Sequence, residues 1–168
     1  MNRMVGVCAA LIGLVALLCF LLSGCHGVDI DENAQITTFA YSHSGMTVDS
    51  IYSYTVEKND NTGEITAVYE MNAGYETYSL RADAELLQAL MAVVREHALA
   101  RWDGFDKVHP HMLDGSGFDL HVRFDDGSGI TASGSNRFPE GYAEAADAID
   151  ELFLGYLAEQ GIDWGGGY

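Results

Sequence analysis

Basic side chains are scarce in this sequence. Lys and Arg together number 8 against 25 Asp and Glu, which gives a formal net charge of −17 at pH 7. Nucleic-acid phosphates and anionic membrane surfaces are bound through clusters of Lys and Arg. The shortage therefore argues against nucleic acid and against an anionic surface as partners of the folded part. Divalent cations and polycations remain compatible with it.

Cysteine is also sparse, and its positions are informative. The three cysteines are Cys8, Cys19 and Cys25, so none follows position 25. If the chain is cleaved just before Cys25, that residue has no partner and no disulfide can form. The stability of the remaining chain must then come from the burial of apolar side chains.

The motifs of familiar catalytic sites are missing as well. There is no Gly-x-Ser-x-Gly nucleophile elbow, no Gly-x-Gly-x-x-Gly and no phosphate-binding loop. Pairs of carboxylates do occur, such as Asp103 with Asp106, but 25 acidic residues make such pairs expected by chance. An enzyme is therefore the less favoured interpretation, although the sequence leaves it open.

One long apolar run opens the chain, over residues 4–22. It follows a single positive charge, Arg3, and it ends in Leu-Ser-Gly-Cys at residues 22–25. A charged start, an apolar centre and small residues before a cleavage position form the layout of a secretory signal peptide. We therefore predict a signal peptide over residues 1–24. The competing interpretation is an uncleaved transmembrane anchor, because the run approaches the ~20 apolar residues that span a bilayer.

Residues 22–25 resemble the lipobox of bacterial lipoproteins, in which a Leu and two small residues precede a lipidated Cys. The resemblance implies that Cys25 receives a diacylglyceryl group, carries fatty acids such as palmitate and begins the mature protein. Stable anchoring takes about two acyl chains, which a diacylglyceryl group supplies. The bilayer is then a partner through Cys25, and the location is the outer, extracytoplasmic face of the cell membrane.

The rest of the chain has the patterns of strands and helices. Residues 25–35 have little apolar pattern and predict a tether. Two amphipathic helices are predicted over 83–99 and 139–160. Asp83 is predicted to cap the start of the first helix, and Gly161 to end the second as a left-handed cap. Alternating patterns predict strands near residues 36–43, 48–57, 64–71, 75–80, 118–125 and 130–133.

This order of elements predicts one α+β domain over residues 36–163, followed by a tail at 164–168. We expect two layers, with the two helices covering one face of an antiparallel meander sheet of about six strands. Residues 100–116 form a long connection between the two parts.

The stretch between Trp102 and Phe153 also has recognisable motifs. It contains Trp-Asp-Gly-Phe, Leu-Asp-Gly and Ala-Ser-Gly-Ser-Asn-Arg-Phe-Pro around the strand at 118–125. These motifs resemble a C-terminal α+β domain of unknown function in uncharacterised bacterial lipoproteins. The resemblance implies the same location and no particular activity.

Tyrosine is concentrated in the first part of the predicted sheet. Tyr52 and Tyr54 are two positions apart, so they share one side of a strand. A rigid ring with a hydroxyl group suits a glycan or protein ligand, which makes both residues candidates for ligand binding. The alternative is ordinary packing in the core, since Tyr has a high strand propensity.

His109-Pro110-His111 is a candidate metal site. Pro110 favours an extended conformation at His109, and residues two apart on an extended chain lie ~6.5–7 Å apart on one side. Together with Asp114, or with Asp106, the two imidazoles could hold zinc or copper and leave a position open for water. The alternative is a pair of solvated histidines, because two ligands alone bind a metal loosely.

Two classes of function remain. The favoured class is a membrane-anchored, extracytoplasmic binding or scaffold module without catalysis, whose only attached group is the lipid on Cys25. Its ligand is a glycan, a protein or a divalent cation. The alternative is a metal-binding lipoprotein or metal-dependent hydrolase that uses the loop of His109 and His111.

Overall fold

The computed structural model describes residues 27–112 and 114–162. Cys25, the predicted signal peptide and the predicted tail lie outside the described residues. No helix in the part that is described is long and apolar enough to cross a membrane.

The described chain forms seven strands and two α-helices, in the α+β class that the sequence predicts. Three short 3-10 segments, Val48–Ser50, Asn72–Gly74 and Leu99–Trp102, lie in the connections. The elements in chain order are β1 Ile36–Ser44, β2 Tyr52–Lys58, β3 Ile65–Met71, β4 Glu76–Arg81, α1 Ala84–Glu96, β5 Asp106–Val108, β6 Gly117–Phe124, β7 Gly129–Ser135 and α2 Tyr142–Glu159.

The seven strands form one mixed sheet in the order β4-β3-β2-β1-β6-β7-β5. Strands β1 to β4 are an antiparallel meander, and β6 pairs with both β1 and β7 in antiparallel fashion. Strand β5 pairs with β7 in parallel. The prediction of a purely antiparallel sheet of about six strands therefore needs correction. The extra strand lies in the predicted 100–116 connection, where three exposed residues give no alternating pattern.

One face of the sheet is buried under the helices and the other is polar. Strand β6 shows this most clearly, because Phe118, Leu120 and Val122 are buried while Asp119 and His121 between them are exposed. Successive side chains of a strand point to opposite faces, so this alternation fixes which face packs. The predicted two-layer arrangement follows from it.

Helix α1 begins at an N-cap, as the sequence predicts. The Asp83 carboxylate accepts hydrogen bonds from the N–H groups of Glu85 and Leu86, which have no partner inside the helix. The helix ends at Glu96, before the predicted end at residue 99, because Ala98 adopts a left-handed conformation with φ of 51°. Its buried stripe consists of Leu86, Leu87, Leu90, Met91 and Val94.

The sequence places the start of α2 at Pro139, and in the structure the helix begins three residues later, at Tyr142. Gly141 is the N-cap and has φ of 74°. A residue inside an α-helix has a negative φ, so the helix cannot extend back past Gly141. Gly161 ends the helix with φ of 66°, as predicted for a left-handed cap. The fully buried side chains recur every four residues at Ala145, Ile149, Phe153 and Leu157.

Residues 27–35, which we predicted to be a tether, lie against the folded body. The Val28 N–H donates to the Ala100 carbonyl oxygen at 3.1 Å, and the Val28 and Ile30 side chains pack on the core. Further along, Arg95 Nη2 donates to the Glu32 carbonyl oxygen at 2.6 Å. Residues 27–35 therefore lie against α1 and the segment after it, and they form part of the domain.

Candidate functional site

Tyr52 and Tyr54 point toward α2 and not toward solvent. Tyr54 is only 2% exposed, and its ring stacks on Phe153 with 4.2 Å between centroids. Tyr52 is partly buried, and its hydroxyl donates to Asp150 Oδ2 at 2.8 Å. Both rings share the core face with Val56, so the predicted ligand-binding tyrosine face is corrected to a packing surface.

A network of polar side chains surrounds this contact at one end of the sheet. The Tyr41 and Tyr142 hydroxyls are 2.9 Å apart, and His43 Nδ1 lies 3.2 Å from the Tyr142 hydroxyl. The His43 ring also stacks on Tyr52 at 5.3 Å. We call Tyr41, His43, Tyr52, Tyr142 and Asp150 the tyrosine network; it joins β1 and β2 to α2.

Burial dominates the electrostatics of the tyrosine network. Burial raises the pKa of Asp150, while the hydroxyls of Tyr52 and Tyr54 partly oppose this rise. Of these two tyrosines, only Tyr52 has hydrogen-bond geometry to Asp150, through Oδ2. The other oxygen, Asp150 Oδ1, is buried without a hydrogen-bond partner among the described residues. Burial also raises the pKa of Tyr41 and Tyr52 far above the ordinary value and lowers the pKa of His43.

These shifts define what the network can do. The tyrosine hydroxyls stay protonated at neutral pH, so they donate and accept hydrogen bonds and do not act as bases. A structural ion pair or hydrogen-bond network perturbs pKa values as a catalytic site does. Because the rings pack between sheet and helix, we interpret the tyrosine network as a structural contact that holds β1 and β2 to α2. The sequence offered one signal for it, an acid at position 150 bordering the apolar stripe of α2.

His109 and His111 lie in the connection after β5. Their ring centroids are 6.4 Å apart, and the His111 N–H donates to His109 Nδ1 at 3.4 Å. No group of three or more His, Cys, Asp or Glu residues suited to a metal occurs within 27–112 and 114–162. Asp114 is exposed and is not assembled with the two histidines into such a group. Zinc or copper binding by these residues stays a prediction.

Among the described residues, a cavity lies between α1, the start of β1 and the β2–β3 hairpin. Its volume is about 470 Å³. This falls in the range of roughly 300–1,000 Å³ that is usual for small-molecule sites. We call it the α1 groove; its lining is Glu32, Ala34, Gln35, Ile36, Lys58, Gly63, Ile65, Ala84, Leu87, Gln88, Met91, Ala92 and Arg95.

Small residues create the space of the α1 groove. Ala84 and Ala92 are the smallest side chains that α1 turns toward it, and Gly63 forms the hairpin turn opposite with φ of 71°. The floor is apolar, and two cationic side chains, Lys58 and Arg95, stand in the lining. Sequence reasoning missed this site because its walls come from three separate segments.

The opposite face of the sheet carries a shallower cleft of about 290 Å³. Short side chains line it, including Ser42, Ser53 and Thr55. On the same face His121 Nδ1 lies 3.3 Å from the Thr131 hydroxyl. These groups are ordinary solvated sheet residues, and their geometry specifies no chemistry.

Comparison with known proteins assigns no family. No protein-family model matches the chain, and no curated protein matches it.

Proposed function

We propose that this protein is a lipid-anchored, extracytoplasmic binding module held at the membrane through Cys25. The lipobox-like residues 22–25 and the apolar run before them support the anchor. The acidic composition supports the need for one, because a body with so few basic residues gains nothing from anionic headgroups.

The observation that carries the proposal is the Leu-Ser-Gly-Cys sequence at residues 22–25. The docking of the chain directly after Cys25 bears on where an anchored domain sits. Val28 is held to Ala100 by a backbone hydrogen bond of 3.1 Å, only three residues after Cys25. Three residues span at most ~10 Å when fully extended. The surface around Ala100 then lies close to the bilayer, and the module sits at the membrane without a long spacer.

Binding is favoured over catalysis by the character of the two main features. The tyrosine network places its titratable groups between sheet and helix, where they hold β1 and β2 to α2. The α1 groove is instead open to solvent at exposed residues such as Ala92 and Arg95, and its floor is apolar. An apolar cavity with a few polar groups is the usual form of a ligand site.

The metal-dependent alternative depends on one observation, the contact between the His111 N–H and His109 Nδ1. That contact orients the His109 ring and leaves its Nε2 atom for a ligand. Two imidazoles fill half of a tetrahedral zinc shell, so a third protein ligand such as Asp114 has to be recruited.

Fractionation of cells that express the full chain tests the proposed location. We expect the protein in the membrane fraction, degraded by protease added to cells whose outer barriers are opened and whose cytoplasmic membrane is intact. A cytoplasmic marker protein must survive the same treatment. Recovery of the chain in the cytosol, protected from protease, would contradict the proposal.

A further inference from the structure

We propose that the α1 groove binds a single-chain anionic amphiphile. The hydrocarbon chain lies on the apolar floor, and the carboxylate or phosphate headgroup lies at Lys58 and Arg95. This inference goes beyond the proposed function, and it does not depend on lipidation of Cys25.

The floor of the groove suits a hydrocarbon chain. Ile36 is 1% exposed, and Leu87 and Met91 are each 8% exposed, so their outer atoms form a nearly closed apolar surface at the bottom of the cavity. Ala34 and Ile65 extend this surface. Contact with a chain of methylene groups removes apolar area from water on both sides, which favours binding. A flexible Met side chain adapts to such a ligand.

The rim of the groove suits an anion. The chain has eight Lys and Arg residues, and two of them, Lys58 and Arg95, line this cavity. The backbone of Lys58 pairs with Ile65 in the sheet, but its side-chain ammonium group has no hydrogen-bond or ion-pair partner among the described residues. Arg95 gives one N–H to the Glu32 carbonyl oxygen, which leaves further donors of its guanidinium group available.

The charges in the lining also select the sign of the headgroup. Glu32 is the acidic residue of the lining, and against it stand two cations, so the rim is positive on balance. The rest of the chain is strongly acidic, with 25 acids in all. An anionic headgroup is thus repelled by most of the surface and attracted at this rim, whereas a cationic amphiphile experiences the opposite.

A photoreactive fatty acid tests this inference on the full chain in its own membrane. The probe is dodecanoate with a diazirine at the end of its chain, and cross-linked peptides are located by mass spectrometry. We expect the label on peptides that contain Met91 and Ala92 or residues 32–36. Label spread over other peptides, with none enriched at the groove, would overturn the inference.

Two pairs of variants make the assignment specific. Ala92→Phe fills the groove from an exposed position, and Ala143→Phe makes the same change at an exposed position of α2. Lys58→Gln removes the unpaired cation, and Lys107→Gln removes a cation that lies over Phe105 away from the groove. We expect Ala92→Phe to abolish groove labelling and Lys58→Gln to weaken it about tenfold, the value of a charge-assisted contact. The controls should label normally, and equal labelling of all four would contradict the inference.

Competition with unlabelled amphiphiles identifies the headgroup. Excess dodecanoate or lysophosphatidylglycerol should displace the probe, and the better competitor tells whether a carboxylate or a phosphate is preferred. Dodecyltrimethylammonium and dodecanol have similar chains without negative charge, and they should compete about tenfold less well. Equal competition by all four would mean that the groove holds any chain and that Lys58 and Arg95 play no part.

Discussion

The Tyr52 hydroxyl donates a hydrogen bond of 2.8 Å to Asp150 Oδ2, and this contact joins β2 to α2. The carboxyl group is half-buried, and its other oxygen, Oδ1, has no hydrogen-bond partner among the described residues. Burial raises the pKa of Asp150 above its ordinary value of 3.8. The charged form of Asp150 therefore costs stability in the folded state.

We predict that this cost depends on pH. A raised pKa means that the folded state binds the proton of Asp150 more tightly than the unfolded state. The contribution of Asp150 to stability is then greatest at low pH and is lost as pH rises through the raised pKa. Asp150→Asn cannot ionise, so its free energy of unfolding relative to the natural protein should rise from pH ~3 to pH ~7. Chemical denaturation across this range measures it.

The control for Asp150→Asn is Glu151→Gln, which removes the same charge at the next, exposed position. The free energy of unfolding of Glu151→Gln should stay within about 0.5 kcal/mol of that of the natural protein at every pH, as is usual for a surface substitution. If the two variants show the same pH dependence, burial of Asp150 is not its cause.

We predict that truncation of the core under the helices is costly. Leu90 and Phe153 are both 0% exposed, one on each helix. Leu90→Ala should lower the free energy of unfolding by ~2–5 kcal/mol and Phe153→Ala by ~3–5 kcal/mol, because each leaves a cavity. Losses near zero in both would mean that the helices do not pack on the sheet.

The docking of residues 27–35 makes a further prediction. A Cβ atom on Gly27 would lie 2.6 Å from the Ala100 carbonyl oxygen and 2.9 Å from Arg101 Cα, which are backbone atoms that cannot turn away. Gly27→Ala should therefore break the Val28–Ala100 hydrogen bond and cost ~1–3 kcal/mol by overpacking. Hydrogen exchange should show a faster amide at Val28.

Gly155→Ala is the matched control for Gly27→Ala. Gly155 lies within α2, and apart from the helix's own backbone a Cβ there meets no described atom within 4 Å. This substitution should raise stability by about 0.5–1 kcal/mol, the difference in helix propensity between Ala and Gly. The Val28 amide should exchange at its natural rate. Slower exchange at Val28 in Gly155→Ala, in step with its higher stability, would show that the amide reports global stability rather than docking.

A zinc titration decides the metal-dependent alternative. The natural chain and a His109→Ala/His111→Ala variant are compared by calorimetry. Since two imidazoles leave half of the zinc shell unfilled, we predict weak binding of similar strength in both, owing to the acidic surface. Clearly tighter binding by the natural chain would instead support a metal site.

The parts of the fold that the sequence predicts are those specified by local patterns. The alternation from Phe118 to Phe124 gives strand β6 and its buried face, and Asp83 gives the start of α1. Gly161 gives the end of α2 in the same way. In each case the feature is specified by residues that lie within or next to the element itself, so a local sequence pattern predicts it.

The parts that the sequence does not predict depend on contacts between distant residues. Strand β5 exists because its three residues pair with β7, 27 positions further along. Residues 27–35 have no pattern of their own, and they are held by Ala100 and Arg95. The α1 groove and the partner of Tyr52 are likewise formed by separate segments. Such contacts follow from the assembled sheet and not from local periodicity.

Metabolic labelling with a tagged palmitate tests the central claim, the lipid anchor at Cys25, most directly. The chain contains two other cysteines, Cys8 and Cys19, which serve as matched controls. We predict that the natural chain, Cys8→Ser and Cys19→Ser incorporate the label, and that Cys25→Ser does not and is released from the membrane or left unprocessed. Normal labelling of Cys25→Ser would contradict the account.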